Sequence, residues 1–236
     1  MVNILIIGDS CKDVFIYGEI TRLSPEAPVP VLNPLKEISN DGMAKNVVNN
    51  VEALGINVYS VTNRNSIRKI RYVDKKSNQL VLRVDEHDYC DRISEKEMGG
   101  INNNVYKVLG NTVHIDAIII SDYCKGFLTE DDIQYICENN KNVFVDTKKE
   151  LGDWVNSAKY IKINSLEYEN NKTFFKNNSI MDKTIVTKGN EGCLFQDKIY
   201  PTKDVQVKDI SGAGDTFVAG LVVEYIRTKD IIRAIS

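Results

Sequence analysis

The sequence predicts an α/β domain in which a mostly parallel sheet is covered by helices on both faces and carries a small flap of antiparallel strands. Three observations predict it. Short runs of β-branched and large apolar residues recur along the chain, segments with helical spacing fall between them, and two early stretches alternate apolar with polar residues. Buried parallel strands read as continuous apolar runs, whereas strands with one wet face alternate.

In chain order, residues 3–7 (Asn-Ile-Leu-Ile-Ile) form a buried first strand. Residues 14–35 follow as half-exposed antiparallel strands, because the prolines of Ser24-Pro25-Glu26-Ala27-Pro28-Val29-Pro30 suit a sheet edge and not its middle. A helix spans 42–54, a strand 57–61, and a second alternating stretch 68–84 folds around Lys75-Lys76-Ser77-Asn78. A helix is expected over 95–109 and a strand over 117–121. The helix over 129–138 has a clear start, since Thr129 can cap it and Asp131 and Asp132 favour its positive end. Strands at 143–146, 160–164 and 184–187 and a helix at 214–227 complete the alternation. Asn-rich patches at 102–104, 139–142 and 169–178 read as solvated loops or helix ends. The organisation is one domain, 1–236, with lid strands from about 14–35 and 68–84.

At 236 residues and 42% hydrophobic, the chain can bury a sizeable core. A net charge of −3 with scattered Lys and Arg gives no footprint for nucleic acid, so the expected partner is a small molecule. Five separated cysteines, without C-x-x-C spacing, suggest neither a disulfide frame nor a zinc site. The start, Met1-Val2-Asn3-Ile4-Leu5-Ile6-Ile7-Gly8-Asp9, lacks a basic region and is too short for a signal peptide or a membrane span. The expectation is a cytoplasmic protein without membrane contact.

Ligands of open parallel sheets gather at the C-terminal strand ends, where five polar clusters fall. Gly8-Asp9 with Asp13 could accept sugar hydroxyls or cap a turn. Asp41-Gly42-Met43-Ala44-Lys45-Asn46 reads either as a helix start or as a ligand loop. Asp146-Thr147-Lys148 and Asn164-Ser165-Leu166-Glu167 bring acids, an amide and a cation to two successive strand ends, suiting hydrated Mg2+ and phosphate or simply solvated loops. Thr187-Lys188-Gly189-Asn190-Glu191-Gly192 could pass a nucleotide closely or make a hairpin. Most informative is Asp209-Ile-Ser-Gly-Ala-Gly-Asp215-Thr-Phe. Gly212, Ala213 and Gly214 before a helix let the first free N–H groups approach an anion, and Asp215 beside it can accept a proton.

These residues resemble a family. The 209–217 run is similar to the D-T-x-G-A-G-D motif of the PfkB/ribokinase carbohydrate kinases, and Asn164-Ser-Leu-Glu167 to their N-x-x-E motif. Gly8-Asp9 to Asp13, Arg22-Leu-Ser-Pro-Glu-Ala-Pro-Val-Pro30, Ser121-Asp-Tyr-Cys-Lys-Gly126 and Asp146-Thr-Lys148 resemble the sugar-kinase domain of the bacterial heptose-phosphate kinase/ADP-heptose synthase group. The resemblance implies a ribokinase-like three-layer sandwich with a β lid and an ATP-dependent kinase acting on a phosphosugar hydroxyl, most plausibly heptose 7-phosphate at the anomeric position. It implies Asp215 as general base and the N–H groups of Gly212 to Asp215 as the anion hole. Asp9, Asp13, Gly42, Asn46, Arg83, Asp122 and Lys125 would face the sugar. Asp146, Lys148, Asn164, Lys188, Gly189 and Gly192 would serve the nucleotide, with Asn164 and Glu167 holding Mg2+ through water. Asp209 and Ser211 match a monovalent-cation loop, for K+. A homodimer through the lid and a separate adenylyltransferase partner also follow from the resemblance.

Four departures accompany it. Gly42-Met43 stands where relatives usually have two glycines, and the bulkier side chain narrows the sugar pocket. The passage from Val61 to Ile67 omits a β-α unit, and the stretch from Glu167 to Lys183 is short. The chain ends at Ser236, where relatives continue with elements that enclose adenine, and no adenylyltransferase domain follows. The alternative expectation is therefore a reduced, non-catalytic member that binds a phosphosugar or a partner enzyme.

Overall fold

The computed structural model describes residues 2–202 and 212–236. The chain opens with β1 (Asn3–Gly8), β2 (Ser10–Leu23), β3 (Pro30–Met43), α1 (Ala44–Ala53), β4 (Asn57–Thr62), β5 (Ile67–Asp74) and β6 (Leu80–Glu86). It continues through α2 (Glu95–Gly99), β7 (Ile101–Asn102), β8 (Val105–Val108), β9 (Asn111–His114), β10 (Ala117–Asp122), α3 (Glu130–Asn139) and β11 (Val143–Thr147). Then come β12 (Tyr160–Asn164), α4 (Ser165–Asn170), α5 (Lys172–Asn177), β13 (Thr184–Thr187), β14 (Cys193–Phe195), β15 (Lys198–Tyr200), α6 (Ala213–Thr228) and α7 (Ile231–Ile235).

The main sheet runs β15-β14-β13-β12-β11-β10-β1-β4 and is parallel from β4 through β13. Alternate residues of a strand point to opposite faces, and both faces here are covered. Ile4 and Ile6 of β1 pack with Val47 and Val51 of α1 and with Val218 and Val222 of α6. Leu5 and Ile7 pack instead with Ile133 and Ile136 of α3. This is the expected three-layer α/β architecture, and each of the six strands expected for it forms within a residue of its expected limits.

The two alternating stretches form a separate sheet, β3-β2-β5-β6. The β2/β3 and β5/β6 pairs are antiparallel as expected, and β2 joins β5 in parallel. Asn63 anchors the crossing into this sheet, its Oδ1 accepting from Ser10 N at 2.6 Å.

One expected element forms only in its first part. The helix over 95–109 stops at Gly99, and the chain turns into the three-stranded sheet β7-β8-β9. Two adjacent glycines end the helix at its Gly100 C-cap, and two two-residue turns follow. Asn103 and Asn104 have φ of 52° and 57°, and Leu109 and Gly110 have 49° and 81°, the left-handed pairs that close tight hairpins. Two of the Asn-rich patches meet here. Asn104 Oδ1 accepts from Lys141 N at 2.7 Å, while Asn140 Oδ1 accepts from Asn104 N at 2.9 Å.

Candidate active site

The first turn of α6 organises the site. Gly212 caps it in the left-handed conformation, φ 76°, and a Cβ there would lie 2.6 Å from Asn46 Nδ2. Glycine is therefore required both by the backbone and by the neighbouring amide. The first N–H groups of a helix lack intrahelical partners and carry its positive dipole end. Lys162 of β12 reaches the same turn: a Cβ on Gly214 would meet its Nζ at 2.9 Å.

Asp215 is 3% exposed and is held from two sides. Asn46 of α1 donates from Nδ2 to Oδ2 at 2.8 Å, and Tyr123, just after β10, donates its hydroxyl to Oδ1 at 2.7 Å. Burial pushes the carboxyl above its ordinary value, and Asp146 adds to this; the two donors and Lys162 act the other way. A carboxyl set in this way is a usable proton acceptor near neutral pH.

Two cavities flank the turn. One of about 300 Å³ is lined by Gly212, Asp215, Asn46, Gly42, Asp13 and Tyr123, together with Lys69 and Arg71 of β5. Arg71 pairs with Asp13. Lys69 forms no ion pair among the described residues and lies 5.6 Å from the Tyr123 ring centroid. Gly42 is needed because a Cβ would sit 2.1 Å from Asp13 Oδ2. The other cavity, about 480 Å³, is lined by Ala213, Gly214 and Phe217 of α6 with Thr187, Gly189 and Gly192. The 187–192 loop is thus both a hairpin, closing β13 onto β14, and a wall of this cavity.

A charged cluster gathers at the ends of β11 and β12. Lys162 donates to Asp146 Oδ2 at 2.9 Å, with both side chains about 5% exposed or less. Lys148 pairs with Glu167 and approaches Asp146 Oδ1 at 3.9 Å, an oxygen that is buried without a hydrogen-bond donor among the described residues. Asn164 and Glu167 form a reciprocal cap on α4, Asn164 Oδ1 accepting from Glu167 N at 2.9 Å and Glu167 Oε2 from Asn164 N at 2.7 Å.

Several expected sugar contacts are corrected by the geometry. Asp9 is fully buried and accepts from the backbone N–H groups of Tyr123, Lys125 and Phe127, so it anchors a loop and faces no cavity. Asp122 is 1% exposed and neutralised by Lys149, with Thr147 donating to it. Lys125 turns to Asp88. Arg83 sits on the outer strand β6 and is tied to Asp85 through two bonds of 2.7 and 2.8 Å. Lys188, expected on the nucleotide side and not among the sugar contacts, lies 3.6 Å from Glu191. Asp209 and Ser211 lie outside the described residues. Tyr123, Lys162, Lys69 and Arg71 were not selected from the sequence. A lysine inside the apolar strand Tyr-Ile-Lys-Ile-Asn was a readable signal, and so were two cations spaced i, i+2 on an alternating strand.

The model of the pfkB family of carbohydrate kinases matches residues 38–236. The chain belongs to this family. It accordingly has the ribokinase-like α/β fold of a family of carbohydrate kinases. It is 29% identical to the bifunctional protein HldE of Helicobacter acinonychis and 30% identical to that of Aliarcobacter butzleri, over 99% of this chain in each case. It spans 60% and 58% of those two proteins. Among solved structures it is similar to ribokinase from Thermotoga maritima, with a TM-score of 0.67 at 16% identity. It is also similar to phosphofructokinase-2 from Escherichia coli in complex with fructose-6-phosphate, at 0.69 and 14%. Both similarities cover all of this chain, and 89% and 90% of those chains. Among the described residues no helix is long and apolar enough to cross a membrane.

Proposed function

We propose that this chain transfers the γ-phosphoryl group of ATP to a hydroxyl of a phosphorylated sugar, heptose 7-phosphate at its anomeric position, with Asp215 as general base. One observation carries the reading: the first turn of α6 lines both cavities, presenting Asp215 to one and Ala213 and Gly214 to the other. A phosphoryl group passing between them would cross the positive end of a helix. Phosphoryl transfer spreads negative charge over the moving group, and fixed donors and cations stabilise it. Lys162 supports this role from beside the turn.

Lys69, without an ion pair among the described residues, and Arg71 beside it support a phosphorylated acceptor. Lys69→Ala is expected to raise KM for the phosphosugar about tenfold with little change in kcat, as loss of a charge-assisted bond would. Arg83→Ala is expected to leave KM near wild type. Equal effects of the two substitutions in initial-rate assays would contradict this assignment.

The residues also fit a hydrated Mg2+. Asp146 Oδ1, without a hydrogen-bond donor among the described residues, and the Asn164 and Glu167 side chains offer oxygens to metal-bound waters. Mg2+ would supply charge neutralisation on the phosphates. The β3-β2-β5-β6 sheet is read as the lid of a single domain, 1–236, since its β5 closes the sugar cavity. Its exposed Leu23, Leu35, Leu80 and Leu82 support a homodimer through that sheet. K+ near 209–211, a cytoplasmic setting and an adenylyltransferase partner belong to the same proposal.

The test is incubation of purified chain with Mg-ATP and either heptose 7-phosphate or fructose 6-phosphate, with products followed by 31P NMR. Heptose bisphosphate alone supports the full reading; turnover of fructose 6-phosphate alone replaces the sugar. Calorimetric binding of sugar without ATP binding or turnover would establish a non-catalytic binder.

A further inference from the structure

We infer that Tyr123 is a positioning residue for the reaction, its hydroxyl holding Asp215 oriented and ready to accept the acceptor proton. The inference rests on the assignment of Asp215 as base. The hydroxyl lies 2.7 Å from Oδ1, while Oδ2 takes Asn46 at 2.8 Å. Each carboxylate oxygen offers about two acceptor sites, so an incoming sugar hydroxyl still finds a lone pair. With both oxygens held, the carboxylate cannot rotate away from the first turn of α6.

Tyr123 is itself fixed from both ends. Its backbone N–H donates to Asp9 Oδ2 at 2.6 Å, and Lys125 and Phe127 donate to the same carboxylate, so three amides pin the loop to the end of β1. Cys124 holds a positive φ of 57°, turning the chain directly after the tyrosine. Two ammonium groups, Lys69 of β5 and Lys148 of the strand-end cluster, each lie 5.6 Å from the centroid of its ring. Cations at a ring face are attracted by its quadrupole. The tyrosine therefore lines the acceptor cavity while its hydroxyl reaches the base. This gives buried Asp9 its role: it supports the reaction through the loop that it anchors.

The charged and titratable groups facing Asp215 come from four directions. They are Tyr123 after β10, Asp146 of β11 with Lys148 following it, Lys162 of β12 and, across the Tyr123 ring, Lys69 of β5. Of these, Tyr123 is the group that donates directly to Asp215. Burial holds its phenol protonated well above the ordinary range, which keeps it a donor throughout the working pH.

Tyr123→Phe keeps the ring and its two cations and removes the hydroxyl alone. In the full chain the expected result is a fall in kcat of about tenfold, a KM for the sugar within about twofold of wild type, and an acid limb of kcat/KM moved to higher pH. The direction follows because a donor to the charged form lowers a carboxyl pKa, and its removal raises it. A readout without turnover is the carboxyl 13C titration of aspartate-labelled protein, with Asp215 assigned by its absence in Asp215→Asn. Its midpoint should rise in Tyr123→Phe, while a wild-type thermal midpoint confirms folding. An unmoved Asp215 titration overturns the inference, and so does a KM rise with kcat unchanged, which would make Tyr123 a sugar ligand. If wild type turns over no phosphosugar, the kinase reading fails while the titration still decides the role of Tyr123.

Discussion

Asp215→Asn is expected to lower turnover by about 10²- to 10⁴-fold while leaving sugar binding within a few-fold of wild type. The amide keeps the shape of the carboxylate and loses its basicity. Its neighbours can adapt, because Asn46 can still donate to the amide oxygen and the Tyr123 hydroxyl can turn to accept from the amide nitrogen. The same substitution should stabilise the fold. In the folded state the Asp215 carboxyl is pushed above its ordinary value of 3.8 by burial, so ionising it at neutral pH opposes folding. Below that ordinary value the group is protonated in folded and unfolded chains alike, and no penalty exists. As pH rises through the elevated folded value, wild type loses stability that the asparagine variant keeps. The gain in thermal midpoint of Asp215→Asn over wild type should thus be largest at pH 7 to 8 and shrink toward pH 4. Undiminished turnover would remove Asp215 from its role, and a gain that grows on acidification would contradict the burial argument.

Gly8→Ala is expected to be the most disruptive single methyl group in the chain. A Cβ at Gly8 would lie 1.9 Å from the carbonyl oxygen of Ser121, its registered partner on β10. Both strands are central in the sheet, with β4 and β11 paired on their other edges, so neither backbone can yield. The cost should be about 3 kcal/mol or more, a large share of the ~5–15 kcal/mol that stabilises a domain. The next residue is Asp9, so the distortion also reaches the loop that carries Tyr123. Gly55→Ala is the comparison: φ there is 76°, but nothing lies within 4 Å, and the expected cost is about 1 kcal/mol. Urea midpoints of the two variants should differ widely. Similar midpoints would show that β1 and β10 can separate without penalty.

Much of the fold was legible because its signals are local. Buried parallel strands must be apolar on both faces, so residues 3–7, 117–121 and 143–146 announce themselves, and Thr129 with Asp132 marks a helix start that forms as a reciprocal cap. The error at 95–109 has a local cause too. Glu95 to Met98 reads as a helix and is one, but the pairs Asn103-Asn104 and Leu109-Gly110 act through left-handed backbone angles that apolar spacing does not report. In the site, the glycine turn at 212–214 opens a helix as its local sequence predicts, whereas Asn164 and Glu167 form a helix cap on α4. Asp9, Asp122 and Arg83 were misplaced because a carboxylate or guanidinium at a strand end can face a ligand, a loop or a neighbouring strand. Their partners here are Tyr123, Lys149 and Asp85, and nothing in residue type or spacing distinguishes these from a ligand.

By itself the sequence determined the layered α/β architecture, the carbohydrate-kinase family motifs and the placing of a glycine turn with an acid at a helix start. These depend on periodicity and on runs of adjacent residues, which a linear chain displays directly. Only the tertiary structure decided which charges meet. It brought Tyr123 and Asn46 to Asp215 across 92 and 169 residues, put Lys162 beside Gly214, and placed Lys69 and Arg71 instead of Arg83 in the cavity that Asp215 lines. The physical reason is that hydrogen bonds and ion pairs act over a few ångströms in space, and their partners are set by strand order and register.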